Sequence, residues 1–330
     1  MSISHLTRAI LTGAAIACAI ASASGHAQSA AAIAGVPTIT VGFAPGGAAD
    51  TTARLYAQAL QDQGFEKVLV DNKPGASGRI ALNAVKTAAP DGLTMYLGGS
   101  PLFTLLPLTY QNLNYDADRD LRPVAALVEI PTAVVAAADA PYNNIVEYVE
   151  WAKRQPKPTT LGLATLGSSG HLGALSLNKN HGLRIEPVAY RGAAPMLIDV
   201  ASQEVSIGWD AVASMMPLYQ GGKIKFLGIS GTKRLSTLPD VPTIAEQGIP
   251  DYRTATSWYG IYVPAATPDA TVAALEKAFI QASEDPTLRQ RLLDNGLVVS
   301  PMPAKAVSQR IVQEREAVRP VVEESGIKMD

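Results

Sequence analysis

The sequence predicts an α/β protein of two lobes, each a βα sandwich around a mainly parallel sheet, with the second lobe inserted into the first. Three observations carry this. From Thr38 onward, short β-rich runs alternate with helical patterns, and the alternation starts afresh after Asp120-Leu121-Arg122-Pro123. Beyond Ala265 three helical patterns follow in which the reading finds no strands for them to cover, so they must pack back on the first lobe. Hydrophobic residues make up 47% of the 330 residues and charged residues only 17%, which suits packed cores and excludes a chain disordered throughout. With 27 basic against 29 acidic residues the formal net charge is -2, and no basic face for nucleic acid is evident.

The first 27 residues read as an export signal: Arg8, an apolar run from Ala9 to Ala21, then Gly25-His26-Ala27 with small residues where a signal peptidase cuts. Cleavage after about Ala27 and a soluble periplasmic product are expected, with an uncleaved anchor as the alternative. Cys18, the single cysteine, lies in this run, so the mature chain has no thiol for disulfides or catalysis.

In the first series, Thr38 to Phe43 reads as a buried strand, Ala49 to Gln61 as a helix, Lys67 to Val70 as a strand, Pro74 to Gly78 as a loop, Ile80 to Thr87 as a helix and Thr94 to Leu97 as a third strand. In the second, Val124 to Ala138 is a long β-type run, followed by a helix from Ile145 to Arg154, a strand from Leu161 to Ala164 and a helix from His171 to Asn180 capped by Gly182. Glu186 to Tyr190 and Val205 to Trp209 are strands around a helix beginning at Pro195, and Lys223 to Ile229 is the strand expected to return to the first lobe. The last helices span Thr271 to Ser283, Pro286 to Asp294 and roughly Lys305 to Ser325. The expected division is residues 28–131 and 231–330 for lobe I and 132–230 for lobe II. The chain crossings near Ile130 to Val134 and Gly228 to Gly231 then form a hinge. A single large α/β domain would produce the same alternation.

Four places are candidates for binding. Phe43-Ala44-Pro45-Gly46-Gly47 joins a strand to a helix, leaving N–H groups at a helix start where the dipole favours anions. It lacks the lysine of a P-loop and the third glycine of a dinucleotide site. Asp50 reads equally well as a cap or first-turn residue. The loop Thr165-Leu166-Gly167-Ser168-Ser169-Gly170-His171 repeats the arrangement, with Ser168 and Ser169 either capping the helix or holding a carboxylate. Tyr190 and Asp210 fall at strand ends, where ligands of open α/β sheets gather, although core packing or capping explains them as well. Thr104, after the third strand, faces the same cleft in this reading or is an ordinary loop residue.

Catalysis is poorly supported. Only His171 and His181 lie beyond the signal, too few for a zinc cluster, and Gly167-Ser168-Ser169-Gly170 is not the G-x-S-x-G elbow of hydrolases. No cofactor and no metal are expected.

The strings Gly42-Phe43-Ala44-Pro45-Gly46-Gly47 with Asp50 and Arg54, Val70-Asp71-Asn72-Lys73-Pro74-Gly75-Ala76-Ser77-Gly78, Gly167-Ser168-Ser169-Gly170-His171, Tyr190-Arg191-Gly192, Trp209-Asp210 and Leu238-Pro239-Asp240-Val241-Pro242-Thr243 stand in this order along the mature chain. Together they resemble the Bug-type (TctC) receptors of tripartite tricarboxylate transporters. The resemblance implies a type II-like Venus-flytrap fold that closes on a small organic carboxylate (a di- or tricarboxylate or an aromatic acid) and hands it to membrane permease subunits. It implies a monomer with no enzymatic activity. It nominates Phe43, Ala44, Pro45, Gly46, Gly47, Asp50, Ser168, Ser169, His171, Tyr190 and Asp210 as ligand neighbours. Ala48-Ala49 and Trp209 depart from the commoner family pattern. A sensory receptor and a secreted hydrolase using Ser169 and a histidine are the alternatives.

Overall fold

A computed structural model of the chain describes residues 35–163, 168–190, 192–231, 233–249 and 257–329; the expected signal lies outside them. The first series consists of β1 (Thr38–Val41), α1 (Ala48–Asp62), β2 (Leu69–Asn72), α2 (Arg79–Lys86), β3 (Thr94–Gly99) and the short α3 (Pro101–Thr104) and α4 (Leu106–Thr109). Then come β4 (Leu121–Ile130), β5 (Thr132–Ala137), α5 (Ile145–Lys153), β6 (Thr159–Leu163), α6 (Ser169–His181), β7 (Ile185–Ala189), α7 (Ala193–Ala201), β8 (Ile207–Ala211), α8 (Val212–Gln220) and β9 (Ile224–Ile229). The chain ends in β10 (Ser257–Pro264), α9 (Asp269–Ala282), α10 (Pro286–Asp294), β11 (Val298–Pro303) and α11 (Ala304–Ser325).

Two sheets result. One has six strands in the order β11-β4-β10-β3-β1-β2, the other five in the order β7-β6-β8-β5-β9. Period-two alternation splits the residues of each strand between two helical layers. Ile39, Val41, Met95 and Leu97 pack with α1, α9 and α10, whereas Tyr96, Trp258 and Tyr262 pack on the other face with α2, α3 and α11. Both sheets are mixed, a departure from the mainly parallel arrangement expected. The βαβ units pair in parallel, but β4 runs antiparallel to β10 and β5 runs antiparallel to β8 and β9. In the first sheet β10 and β11 run against the other four strands, and in the second β5 runs against the other four. Strands β4 and β5 form one β run that leaves the first sheet and enters the second, interrupted by Pro131, whose ring removes a ladder donor. Because the crossing is so short, the edge of the first sheet that holds the ends of β1, β3 and β4 faces the edge of the second that holds the ends of β6, β8 and β9.

The chain does not return to the first sheet at residue 231. Strand β9 is the edge of the second sheet, and Ile229 goes on to bridge Thr243. Leu238, Ile244 and Ile249 are buried in the second sheet's cores, so residues 233–249 pack on that lobe, and β10 from Ser257 belongs to the first sheet. Proline-containing β11 was not anticipated as a strand. It survives because it is an edge strand, where the missing N–H groups of Pro301 and Pro303 interrupt a ladder on one side only. Helix α11 reaches beyond its own lobe: Val318 and Val322 join Leu105 of the first lobe and Leu172 of α6 in one apolar cluster.

Candidate functional site

The turn after β1 is built from inside by Asp50. Its carboxylate is almost fully buried and accepts from Gly46 N (2.9 Å), Arg54 Nε (2.9 Å) and Asn72 Nδ2 (3.0 Å), and the same Asn72 amide reaches Phe43 O at 3.0 Å. Burial opposes the charge, yet the donors from Arg54, Gly46 and Asn72 outweigh it and hold the carboxyl below its usual range. Asp50 thus shapes the Phe43–Gly47 turn from within. Above it, Gly47 caps α1 with extended backbone and no side-chain hydrogen bond, which leaves the first-turn amides of Ala48 and Ala49 without an intrahelical acceptor. Phe43, Gly46 and Gly47 are exposed around them.

In the second lobe, Ser168 caps α6 by accepting from His171 N at 3.4 Å, while Ser169, in the first turn, is nearly buried. Residues 164–167 of this loop and Arg191 lie outside the described residues. The helix start is pinned by Trp209: a Cβ on Gly170 would lie 2.3 Å from the indole, so only glycine lets the ring come this close. Trp209 Nε1 in turn donates to Ser230 Oγ at 3.3 Å. Burial pushes the His171 imidazole below its ordinary pKa. Tyr190 is occupied elsewhere: its hydroxyl donates to Asp199 Oδ2 at 2.7 Å, tying the strand end to α7, and burial together with that carboxylate pushes the phenol up to about 12.

Asp210, at the end of β8, is only partly exposed. It is satisfied by Ala211 N (2.6 Å) and Ser214, but burial dominates and raises its carboxyl pKa. Its charge is felt across the lobes by Tyr259 of β10, whose phenol burial first and Asp210 second push up to about 12. The native state therefore holds the Asp210 proton more tightly than the unfolded chain, with its ordinary value of 3.8, does. The contribution is complete at pH values below that and is lost as pH rises through the folded value. Asp210→Asn is accordingly expected to raise the melting temperature at pH 8 relative to wild type, with the gain fading at pH 4. Calorimetry at the two pH values checks this, and equal destabilisation at both would refute it.

Thr104 is buried, its hydroxyl donating to Ser100 O at 3.0 Å. The short α3 that carries it is clamped by Arg315, which donates to Phe103 O (3.0 and 2.8 Å), and by Tyr115, whose hydroxyl donates to Leu102 O (2.5 Å). Thr104 and Ser169 both line a cavity of about 820 Å³ to which both lobes contribute. Phe43 to Gly47, Asp50, Ser168, His171, Tyr190 and Asp210 are not among its described lining residues. Ser100, Ser230 and Lys233, which the sequence reading passed over, are. Ser100 could have been found by the rule that nominated Phe43, since it follows the carboxyl end of β3.

The profile of the tripartite tricarboxylate transporter family receptors matches residues 52–327. A UPF0065 protein of Bordetella pertussis is 32% identical over 292 residues, 88% of this chain and 89% of that one. Among solved structures, a Rhodopseudomonas palustris protein with adipate superposes with a TM-score of 0.79 at 29% identity, covering 88% of this chain and 97% of that one. MatC of the same organism with bound malate gives 0.73 at 28% identity, covering 87% and 98%. A chain with this profile match, these relatives and two mixed sheets facing each other end to end belongs to the receptor family of the tripartite tricarboxylate transporters, and has their two-lobed periplasmic-binding-protein fold.

Proposed function

We propose that the protein is an extracytoplasmic receptor that binds a small organic carboxylate between its lobes and delivers it to permease subunits of a tripartite tricarboxylate transporter. In this reading residues 1–27 are a cleaved export signal and the product works in the periplasm. The six-stranded sheet is lobe I and the five-stranded sheet lobe II, with a hinge crossing at Pro131. One observation carries the reading: the starts of α1 and α6, one from each lobe, both stand at the facing edges with first-turn amides unclaimed by their own helices. Ser169 Oγ adds a hydroxyl donor, and Phe43 to Gly47 supply the rim. Neighbours solved with adipate and malate support a carboxylate as the cargo.

A carboxylate touching both helix starts binds the closed form better than the open one, and only such differential contact shifts the equilibrium towards closure. Each charge-assisted hydrogen bond contributes about 1.5–3 kcal/mol, so Ser169→Ala is expected to weaken binding about 10- to 100-fold. Gly47→Val should do the same by covering the α1 amides. The residue's φ of -84° suits any side chain, and a Cβ there meets nothing nearer than Ala44 O at 3.9 Å, so the empty protein should melt as wild type does. Titration calorimetry against a carboxylate identified by thermal shift checks both variants. At a hundred times its dissociation constant, such a ligand stabilises by about 2.7 kcal/mol. Undiminished affinity in both variants would remove the helix starts from the site.

A further inference from the structure

We propose that the carboxylate site opens into the 820 Å³ cavity and that this cavity selects acids carrying an apolar chain or ring that ends without a second charge. The proposal rests on the receptor reading and names the class of solute it serves. Thr104 and Ser169 are the link, since both line the cavity and one of them begins the lobe II helix. The volume lies in the range of pockets that enclose whole organic ligands, well above what a four-carbon acid fills. Its apolar walls come from both lobes: Pro101, Leu105 and Val318 from the first, Leu172 and Leu235 from the second.

Charge on the wall is segregated. On the lobe I side Arg310 is shared by two carboxylates, Glu129 at 2.6 Å and Glu314 at 2.6 Å, all three partly buried, so this side carries one net negative charge. A second carboxylate approaching it is repelled in a poorly screened setting. On the lobe II side Arg234 is paired with Glu246, whereas Lys233 has no ion-pair partner among the described residues. Lys233 and Ser169 therefore belong to the wall where a single carboxylate head is favoured, and the tail points to the apolar surface next to α11.

Calorimetric titration of the full mature chain with acetate, butanoate, hexanoate and octanoate, and with succinate, adipate and suberate, tests this. Dissociation constants are expected to fall about fourfold per added methylene from butanoate to octanoate, and suberate should bind about tenfold more weakly than octanoate. Ala317→Phe, at an exposed position of α11 on the cavity wall, should bring octanoate back to the affinity of butanoate while leaving butanoate itself unchanged. Short acids that bind with no dependence on length, or suberate binding more tightly than octanoate, would overturn the apolar subsite and leave the receptor reading standing. Failure of every acid to bind would overturn the receptor reading, and the subsite with it.

Discussion

Asp50→Ala is expected to destabilise the protein by about 2–5 kcal/mol and to abolish measurable binding of its carboxylate. The side chain holds three donors at once, and its removal takes this acceptor away from Gly46 N and from one N–H of Asn72 Nδ2. A hydrogen bond to a charged carboxylate contributes about 1.5–3 kcal/mol. Arg54 adds little to the loss, because it is half exposed and regains water. The turn then keeps only the Asn72 bond to Phe43 O, with Asn72 itself no longer held by Asp50, and the α1 amides are no longer held in one arrangement. Asp50→Asn, which keeps the shape and one acceptor, should recover part of the stability. The carboxyl's lowered pKa fixes the pH sense: its contribution is present above the ordinary value of 3.8 and is lost as pH falls through the folded value. Urea unfolding and calorimetric titration of the two variants check this. Wild-type affinity in Asp50→Ala would mean that the turn does not contact the ligand.

Trp258→Ala is expected to cost about 3–5 kcal/mol, the range for deleting a fully buried aromatic side chain. The indole fills the core between β10 and α11, and two polar contacts depend on it. Its Nε1 donates to both Glu314 oxygens (3.2 and 3.1 Å), and the Arg310 guanidinium lies 5.0 Å above its ring. Burial already raises the Glu314 pKa, and loss of a donor strengthens that tendency. Trp258→Phe separates the two effects by keeping most of the packing and removing only the N–H, and about 1–2 kcal/mol should be lost. Chemical denaturation of both variants measures the difference. A loss below about 1 kcal/mol in Trp258→Ala would contradict the packing described for this face.

Much of this architecture is written in local pattern. The Gly46-Gly47 turn, the Gly182 cap with its positive φ, and the helix opened by Pro286 follow from residues adjacent in sequence, and the structure has them where the pattern puts them. What escaped depends on neighbours distant in sequence. Strand β11 is tolerated only because the fold places it at an edge, and residues 233–249 stay with lobe II because Ile244 and Ile249 find apolar partners there. The same holds within the candidate site. Asp50 reads as a cap or a ligand neighbour from local pattern alone, which gives no hint that Asn72, on the next strand, donates to it. Tyr190 stands at a strand end as expected, but Asp199, nine residues on, claims its hydroxyl. Periodicity gives no hint of Tyr259 sensing Asp210 from the other lobe, because the two meet only across the sheet edges.

The structure of the mature protein crystallised with a carboxylate identified by thermal shift is the most direct test of how the charge is held. The account predicts closed lobes with the ligand's carboxylate oxygens at 2.7–3.1 Å from N–H groups of the first turns of α1 and α6 and from Ser169 Oγ. A carboxylate held by a bidentate arginine or a metal ion, or a ligand touching one lobe only, would contradict it.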